Sequence, residues 1–68
     1  MQVDDLPEDF LEVYDYIAWY GEDCNLHESS IYQRFSGSMT SENIEEIINK
    51  LLKLGFIYEP RAHYYRAV

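Results

Sequence analysis

Residues 39–68 read MTSENIEEIINKLLKLGFIYEPRAHYYRAV, and a helical apolar pattern occupies the first half of this stretch. Apolar residues recur there at steps of three and four, which places their side chains on one helix face; they are Ile44, Ile47, Ile48, Leu51 and Leu52. Thr40 is the expected N-cap of this helix, and Met39 is expected to pack over Ile44 as a hydrophobic staple. Gly55 follows where a left-handed residue commonly ends a helix. We therefore expect a helix between Thr40 and Gly55 that is buried on its apolar side.

After Gly55 the pattern changes to strand-like segments, which predict a β-hairpin. Pairing Tyr58 with Tyr65 and Glu59 with Tyr64 leaves residues 60–63, Pro-Arg-Ala-His, as the tip. This register assigns side chains to two faces. The predicted core face carries Phe56, Tyr58, Tyr65 and Ala67, and the other face carries Ile57, Glu59, Tyr64 and Arg66.

The N-terminal part predicts a first helix that begins near Asp5 or Leu6, because Pro7 suits the first turn of a helix. Its apolar stripe comprises Phe10, Val13, Tyr14, Ile17 and Ala18, widened by Trp19 and Tyr20. Gly21 ends the helix. Residues 1–5 are interpreted as a frayed lead-in or linker remnant, and residues 6–68 as the folded domain.

The middle of the chain predicts a very short strand, Cys24-Asn25-Leu26, that pairs with the hairpin. His27 then caps a second helix from Glu28 to about Phe35, with Ile31 and Phe35 in the core. Ser36-Gly37-Ser38 forms the following turn, where Gly37 can take a positive φ. Three helices followed by a hairpin predict a small α+β fold of the winged helix-turn-helix class, with the C-terminal β-hairpin as its wing.

The composition limits the possible functions of these 68 residues. The single cysteine excludes an intramolecular disulfide, and Cys24, His27 and His63 lack the spacing of a zinc site. We therefore expect no metal and no cofactor. No apolar run is long enough to span a bilayer, and the acidic N-terminus lacks a signal peptide's basic region. A cytoplasmic domain without a membrane partner is the simplest interpretation.

The net charge of −8 opposes non-specific binding to nucleic acid. No lysine or arginine precedes Arg34, and the first exposed turns of the third helix carry Glu42, Glu45 and Glu46. A winged helix that reads the major groove presents these turns to DNA, and carboxylates there would repel phosphates. We therefore interpret Glu42, Glu45, Glu46 and Asn49 as a protein-binding face or a solvated one, rather than a DNA-reading one.

Positive charge is concentrated in the predicted wing, at Arg61, His63 and Arg66, with Lys50 and Lys53 of the third helix expected nearby. These five residues are the candidate DNA contacts. Protection of a strand edge by charge explains the cluster equally well. If the domain touches DNA, we expect it to do so with the wing.

The run Leu54-Gly55-Phe56-Ile57-Tyr58-Glu59-Pro60-Arg61, followed by Tyr64-Tyr65-Arg66, resembles the C-terminus of archaeal minichromosome maintenance (MCM) replicative DNA helicases. That family typically ends in a leucine-rich helix, a glycine, an Ile-Tyr-Glu-Pro strand, a turn and a tyrosine-rich strand. The resemblance is concentrated in residues 44–68. The chain departs from it at Ala62-His63, where the family often has Pro-Gly.

The resemblance implies that the domain belongs to a hexameric, ATP-dependent DNA helicase and modulates its ATPase and unwinding activity. Its implied partners are the helicase core of the parent chain and an initiator protein of the origin-recognition type. The 68 residues hold no Walker A sequence or arginine finger, so the fragment itself is expected not to be an enzyme. A free-standing winged-helix transcription regulator and a protein-docking winged helix of another replication or transcription complex remain open as alternatives.

Overall fold

The computed structural model describes residues 5–21 and 26–68. Within these ranges the fold is α+β, with three helices and a three-stranded antiparallel sheet. The elements in chain order are α1 (Glu8–Tyr20), β1 (Leu26–His27), α2 (Glu28–Phe35), α3 (Ser41–Leu54), β2 (Ile57–Arg61) and β3 (Tyr64–Ala67). No helix in the described residues has both the length and the apolar character needed to cross a membrane.

α1 begins later than predicted. Pro7 occupies the N-cap with extended backbone, at φ −56° and ψ 156°, and helical geometry starts at Glu8. A residue that precedes proline is disfavoured in the α region, which explains why Leu6 does not join the helix. Leu6 is instead buried in the core. The predicted end is confirmed, because the Gly21 amide donates to the Ile17 carbonyl over 2.9 Å.

The predicted ends of α3 are confirmed. Thr40 is the N-cap, and its hydroxyl oxygen accepts a hydrogen bond from the Asn43 amide over 3.2 Å. Gly55 is left-handed at φ 84°, a conformation that glycine adopts without a steric penalty. The Phe56 amide then donates to the Leu51 carbonyl over 3.0 Å, so the chain leaves α3 directly into β2.

The predicted bounds and cap of α2 are also confirmed, since His27 Nδ1 accepts from the Ser29 amide over 3.1 Å. Leu26 and His27 form β1, which pairs with β3 as expected, whereas Cys24 and Asn25 lie outside the described residues. The expectation of a positive φ at Gly37 is wrong. The turn closes without it, because the amides of Ser38 and Met39 both donate to the Phe35 carbonyl.

The hairpin is present, but its predicted register is wrong. β3 is central in the order β1-β3-β2, and Ile57 lies opposite Ala67 while Tyr58 lies opposite Arg66. The predicted pairing of Tyr58 with Tyr65 is therefore displaced by one residue, which moves β2 side chains to the opposite face. Ile57 is 2% exposed and lies in the core, and Tyr58 is 43% exposed.

The displaced register follows from a tighter tip than predicted. β2 continues through Pro60 to Arg61, which lies opposite Tyr64, and only Ala62 and His63 make the turn. An irregularity in the pairing separates Tyr58 from Arg61. Pro60 has no amide hydrogen but is tolerated because β2 is at the sheet edge. His63 takes φ 69°, the positive φ that the turn requires.

One apolar core joins all the described elements. Its buried residues are Leu6, Val13, Ile17, Leu26, Ile31, Phe35, Ile44, Ile47, Ile48, Leu51, Ile57 and Tyr65. Four of the five predicted α3 positions are buried, and Leu52 is half-buried. α1 packs against α3 and β3 through Val13 and Ile17. Burial of this apolar face is the main favourable contribution to folding.

The prediction that Trp19 and Tyr20 widen the α1 stripe is wrong. Trp19 is 75% exposed and Tyr20 58%. A helix turns by about 100° per residue, so Trp19 lies about 200° around the axis from the buried Ile17. Two large aromatic side chains therefore remain on the surface.

Candidate functional site

The outer face of α3 is exposed as predicted. Glu42, Glu45 and Glu46 come in its first turns, and they line a shallow depression together with Asn49, Lys50 and Lys53. Glu42 near the N-terminus and Lys53 in the last turn have favourable signs for the helix dipole. Because Lys50 and Lys53 line the same depression as the three glutamates, positive and negative side chains share this surface.

His63 in the wing is held against α2. Its carbonyl accepts from the Glu28 amide over 2.8 Å, and its Nδ1 lies 3.3 Å from Glu28 Oε2. The His63 amide donates to Glu59 Oε2 over 2.8 Å. The Glu28 carboxylate beside the His63 ring would repel a phosphate that approached it from that side.

The two wing arginines have different surroundings. Arg61 is exposed, and its guanidinium lies 5.8 Å from the centre of the Tyr64 ring, within the range of a cation–π interaction. Arg66 is half-buried on β3, opposite Tyr58. On the α3 side, the cavity beside His63 is lined by Glu45, Ile48 and Asn49. Lys50 and Lys53 line the depression on the outer face of α3, together with the acidic side chains there. That the five candidate residues form one DNA-contact site stays a prediction.

A cavity of about 310 Å³ is lined by residues of the wing, α2 and α3, and its walls are largely acidic and aromatic. They comprise Glu28, Tyr32, Glu45, Ile48, Asn49, Glu59, His63 and Tyr65. Burial raises the pKa of Tyr65 to about 12, with further contributions from Glu59, Glu28 and Tyr32 and from a hydrogen bond to Glu28. Burial, then Glu45 and Glu28, also raises the pKa of Tyr32. Both hydroxyls are therefore held in their neutral form.

The raised pKa of Tyr65 predicts a loss of stability in alkaline solution. Because folding favours the protonated hydroxyl, its contribution to the free energy of unfolding is complete below about pH 10 and declines as the pH approaches 12. The expected decline is roughly 2 kcal/mol. Urea denaturation at several alkaline pH values should show a smaller decline for Tyr65→Phe than for the unaltered protein. Equal declines for the variant and the unaltered protein would contradict the conclusion that Tyr65 causes the loss of stability.

Across residues 5–21 and 26–68, no three or more histidine, cysteine, aspartate or glutamate side chains are grouped so that they could hold a metal ion. At the edge of the acidic cavity, His63 of the wing and Glu28 of α2 are joined by a backbone hydrogen bond and by the approach of their side chains. These contacts hold the tip of the wing against α2.

Sequence reasoning missed an exposed aromatic patch at the end of α1, formed by Tyr16, Trp19 and Tyr20 with Arg34 of α2 beside it. The Tyr16 ring centre lies 4.8 Å from that of Tyr20 and 5.7 Å from that of Phe35. The Arg34 guanidinium lies 5.9 Å from the Tyr16 ring centre and 5.5 Å from that of Phe35. The angular offset of Trp19 from Val13 and Ile17 was the available sequence signal for this patch.

Comparison with known proteins adds no assignment: no family model matches the sequence, and neither a curated protein nor a solved structure is significantly similar to it.

Proposed function

We propose that this chain is the C-terminal regulatory winged helix of an archaeal MCM replicative helicase, located in the cytoplasm and acting mainly through protein contacts. The helicase assignment rests on the resemblance in residues 44–68. The order of three helices and a hairpin, with β1 paired to β3, is compatible with a winged helix. In this proposal the domain is not itself catalytic, and it changes the ATPase and unwinding rates of the motor to which it is attached.

The observation that carries the preference for protein contacts is the acidity of α3. Glu42, Glu45 and Glu46 are all exposed in the turns with which a DNA-reading winged helix approaches the major groove. Carboxylates at these positions oppose phosphate contact whatever the base sequence. The face suits a partner with complementary positive charge.

Any DNA contact in this proposal is weak and passes through the wing. Arg61 supplies an exposed positive charge there, and Arg66 a half-buried one. His63 contributes less than expected, because the Glu28 carboxylate lies beside its ring. A few phosphate contacts give little affinity at physiological salt.

The alternatives differ in how well they fit this charge distribution. A free-standing transcription regulator needs a recognition helix that tolerates phosphates, and the acidic face of α3 disfavours it. A protein-docking winged helix of another replication or transcription complex would have the same surface. Only the helicase-like C-terminal sequence favours the MCM assignment over that alternative.

A DNA titration tests the role of the wing. Arg61→Glu combined with Arg66→Glu should weaken binding to a short duplex at low salt by roughly tenfold or more, because both charges lie on the hairpin. Lys50→Glu combined with Lys53→Glu is the matched control, since it makes the same charge change on α3 and should have a smaller effect. Circular dichroism verifies that each variant folds. Equal losses in the two pairs would contradict wing-mediated binding.

A fusion tests the regulatory role itself. The domain would be joined through a flexible linker to an archaeal MCM motor that lacks its own C-terminal domain. We expect the fusion to change the motor's ATPase rate or its rate of duplex unwinding, and Glu42→Lys with Glu46→Lys to reduce that change. Rates identical to those of the motor alone would contradict the proposed function.

A further inference from the structure

The aromatic patch at the end of α1 is formed by Tyr16, Trp19 and Tyr20. Trp19 and Tyr20 expose most of their surface although each could bury a large apolar area. Tyrosine, tryptophan and arginine are also the residue types that contribute most to binding energy at protein interfaces. Arg34 lies beside these aromatic rings. The composition of the patch is therefore that of a contact surface.

The patch opens into a trough along α1. Its aromatic end, of about 460 Å³, is also lined by Glu12 and Asp15. A neighbouring depression of about 420 Å³ shares Glu12 and Ser38 with it and extends to Glu8 and Asp9. The trough thus combines four carboxylates on α1 with the single cation Arg34 among its lining residues.

Charge and shape together specify the occupant. We propose that this trough binds a basic amphipathic helix of a partner protein, with the helix's apolar side chains on Tyr16, Trp19 and Tyr20 and its lysines or arginines beside the α1 carboxylates. α1 has 13 residues and is therefore about 20 Å long, which matches three to four turns of a bound helix. Helix-in-groove recognition of this kind uses apolar anchors spaced by three and four residues.

The same features disfavour other classes of ligand. A single-stranded nucleic acid could stack its bases on Trp19, but such sites combine stacking with a positive groove, and Glu12 and Asp15 line this one. The lining of the trough also has no residue in common with the depression on the outer face of α3. The inference therefore extends beyond the proposed function and does not depend on the helicase assignment.

Trp19 is the only tryptophan in the chain, so its fluorescence reports directly on the patch. The probe is a labelled helical peptide of lysine and leucine, with leucines at helical spacing and no tryptophan. Titration of the 68-residue protein should shift Trp19 emission to shorter wavelength as the indole leaves water, with a matching rise in peptide anisotropy. Two control peptides should bind at least about tenfold more weakly. One has the same composition in scrambled order, and the other is a helix of glutamate and leucine.

Two pairs of variants separate specific docking from attraction to an acidic protein. Glu12→Lys with Asp15→Lys should weaken binding of the lysine and leucine peptide by about tenfold or more, as should Tyr20→Ala. Glu42→Lys with Glu46→Lys makes the same charge change on the outer face of α3 and should weaken binding of this peptide less than the α1 pair does, because the apolar anchors lie on α1. Chemical denaturation confirms that the variants fold.

Several outcomes would overturn the inference. They are an unchanged Trp19 emission, equal losses in the two charge-reversal pairs, and no preference for the helical over the scrambled peptide. An oligo(dT) strand that shifts Trp19 emission and loses affinity with Tyr20→Ala would assign the patch to nucleic acid instead. These results are independent of the fusion experiment, because a fusion that leaves the motor unchanged contradicts the regulatory role and has no bearing on the peptide titration.

Discussion

Leu51→Ala is expected to lower the free energy of unfolding by roughly 2–5 kcal/mol. Leu51 is fully buried on the inner face of α3, and its removal leaves a cavity among side chains that come from separate elements of the fold. A domain of this size has a total stability of only a few kcal/mol, so the variant should be largely unfolded at moderate temperature. Thermal and urea denaturation followed by circular dichroism measure the effect.

Leu54→Ala is the matched control, because it makes the same chemical change on the same helix at an exposed position. We expect it to cost less than about 1 kcal/mol. The comparison separates the loss of core packing from any general effect of replacing leucine in α3. Similar midpoints for the two variants would mean that the inner face of α3 has been assigned incorrectly.

Ile57→Ala is expected to lower the free energy of unfolding by a similar amount, roughly 2–5 kcal/mol. Ile57 is the first residue of β2, and its side chain is buried in the core. Tyr58→Ala, at the next position, should cost about 1 kcal/mol or less, since the Tyr58 side chain lies on the exposed face of β2. Urea denaturation of the two variants ranks the positions. The register predicted from the sequence implies the reverse ranking, so a larger loss for Tyr58→Ala would contradict the observed pairing.

The parts of the fold that were predictable are those with local signals. Thr40 and Gly55 mark the ends of α3 through backbone hydrogen bonds that span only a few residues. The helical spacing of Ile44, Ile47 and Leu51 likewise identifies the buried face without reference to the rest of the chain. His27 as a cap belongs to the same group, because its partner Ser29 is two positions away.

The errors arose where the outcome depends on distant residues or on small angular differences. The register of β2 depends on whether Pro60 and Arg61 belong to the strand or to the turn, and His63 resolves this by taking a positive φ. A change of one residue there inverts every β2 side chain. The exposure of Trp19 follows from its angle to Ile17, which a list of apolar residues conceals.

The exposed residues of the candidate site were predictable from the sequence, but the contacts between its distant parts were not. The acidic outer face of α3 followed from helical periodicity, and its exposure is confirmed. The contact of His63 with Glu28 was not predictable, because it joins residues that are far apart in sequence and depends on how the hairpin is placed over α2. The contact places His63, one of the candidate DNA contacts, beside a carboxylate.

The hairpin is secured at both of its ends, and this determines how a force on it would spread. At its base, the Val68 amide donates to the Phe56 carbonyl over 3.0 Å, next to the left-handed junction with α3. At its tip, the backbone and side chain of His63 both engage Glu28 at the start of α2. A partner that lifts the tip must therefore break these contacts with α2, which opposes detachment of the hairpin from the rest of the domain.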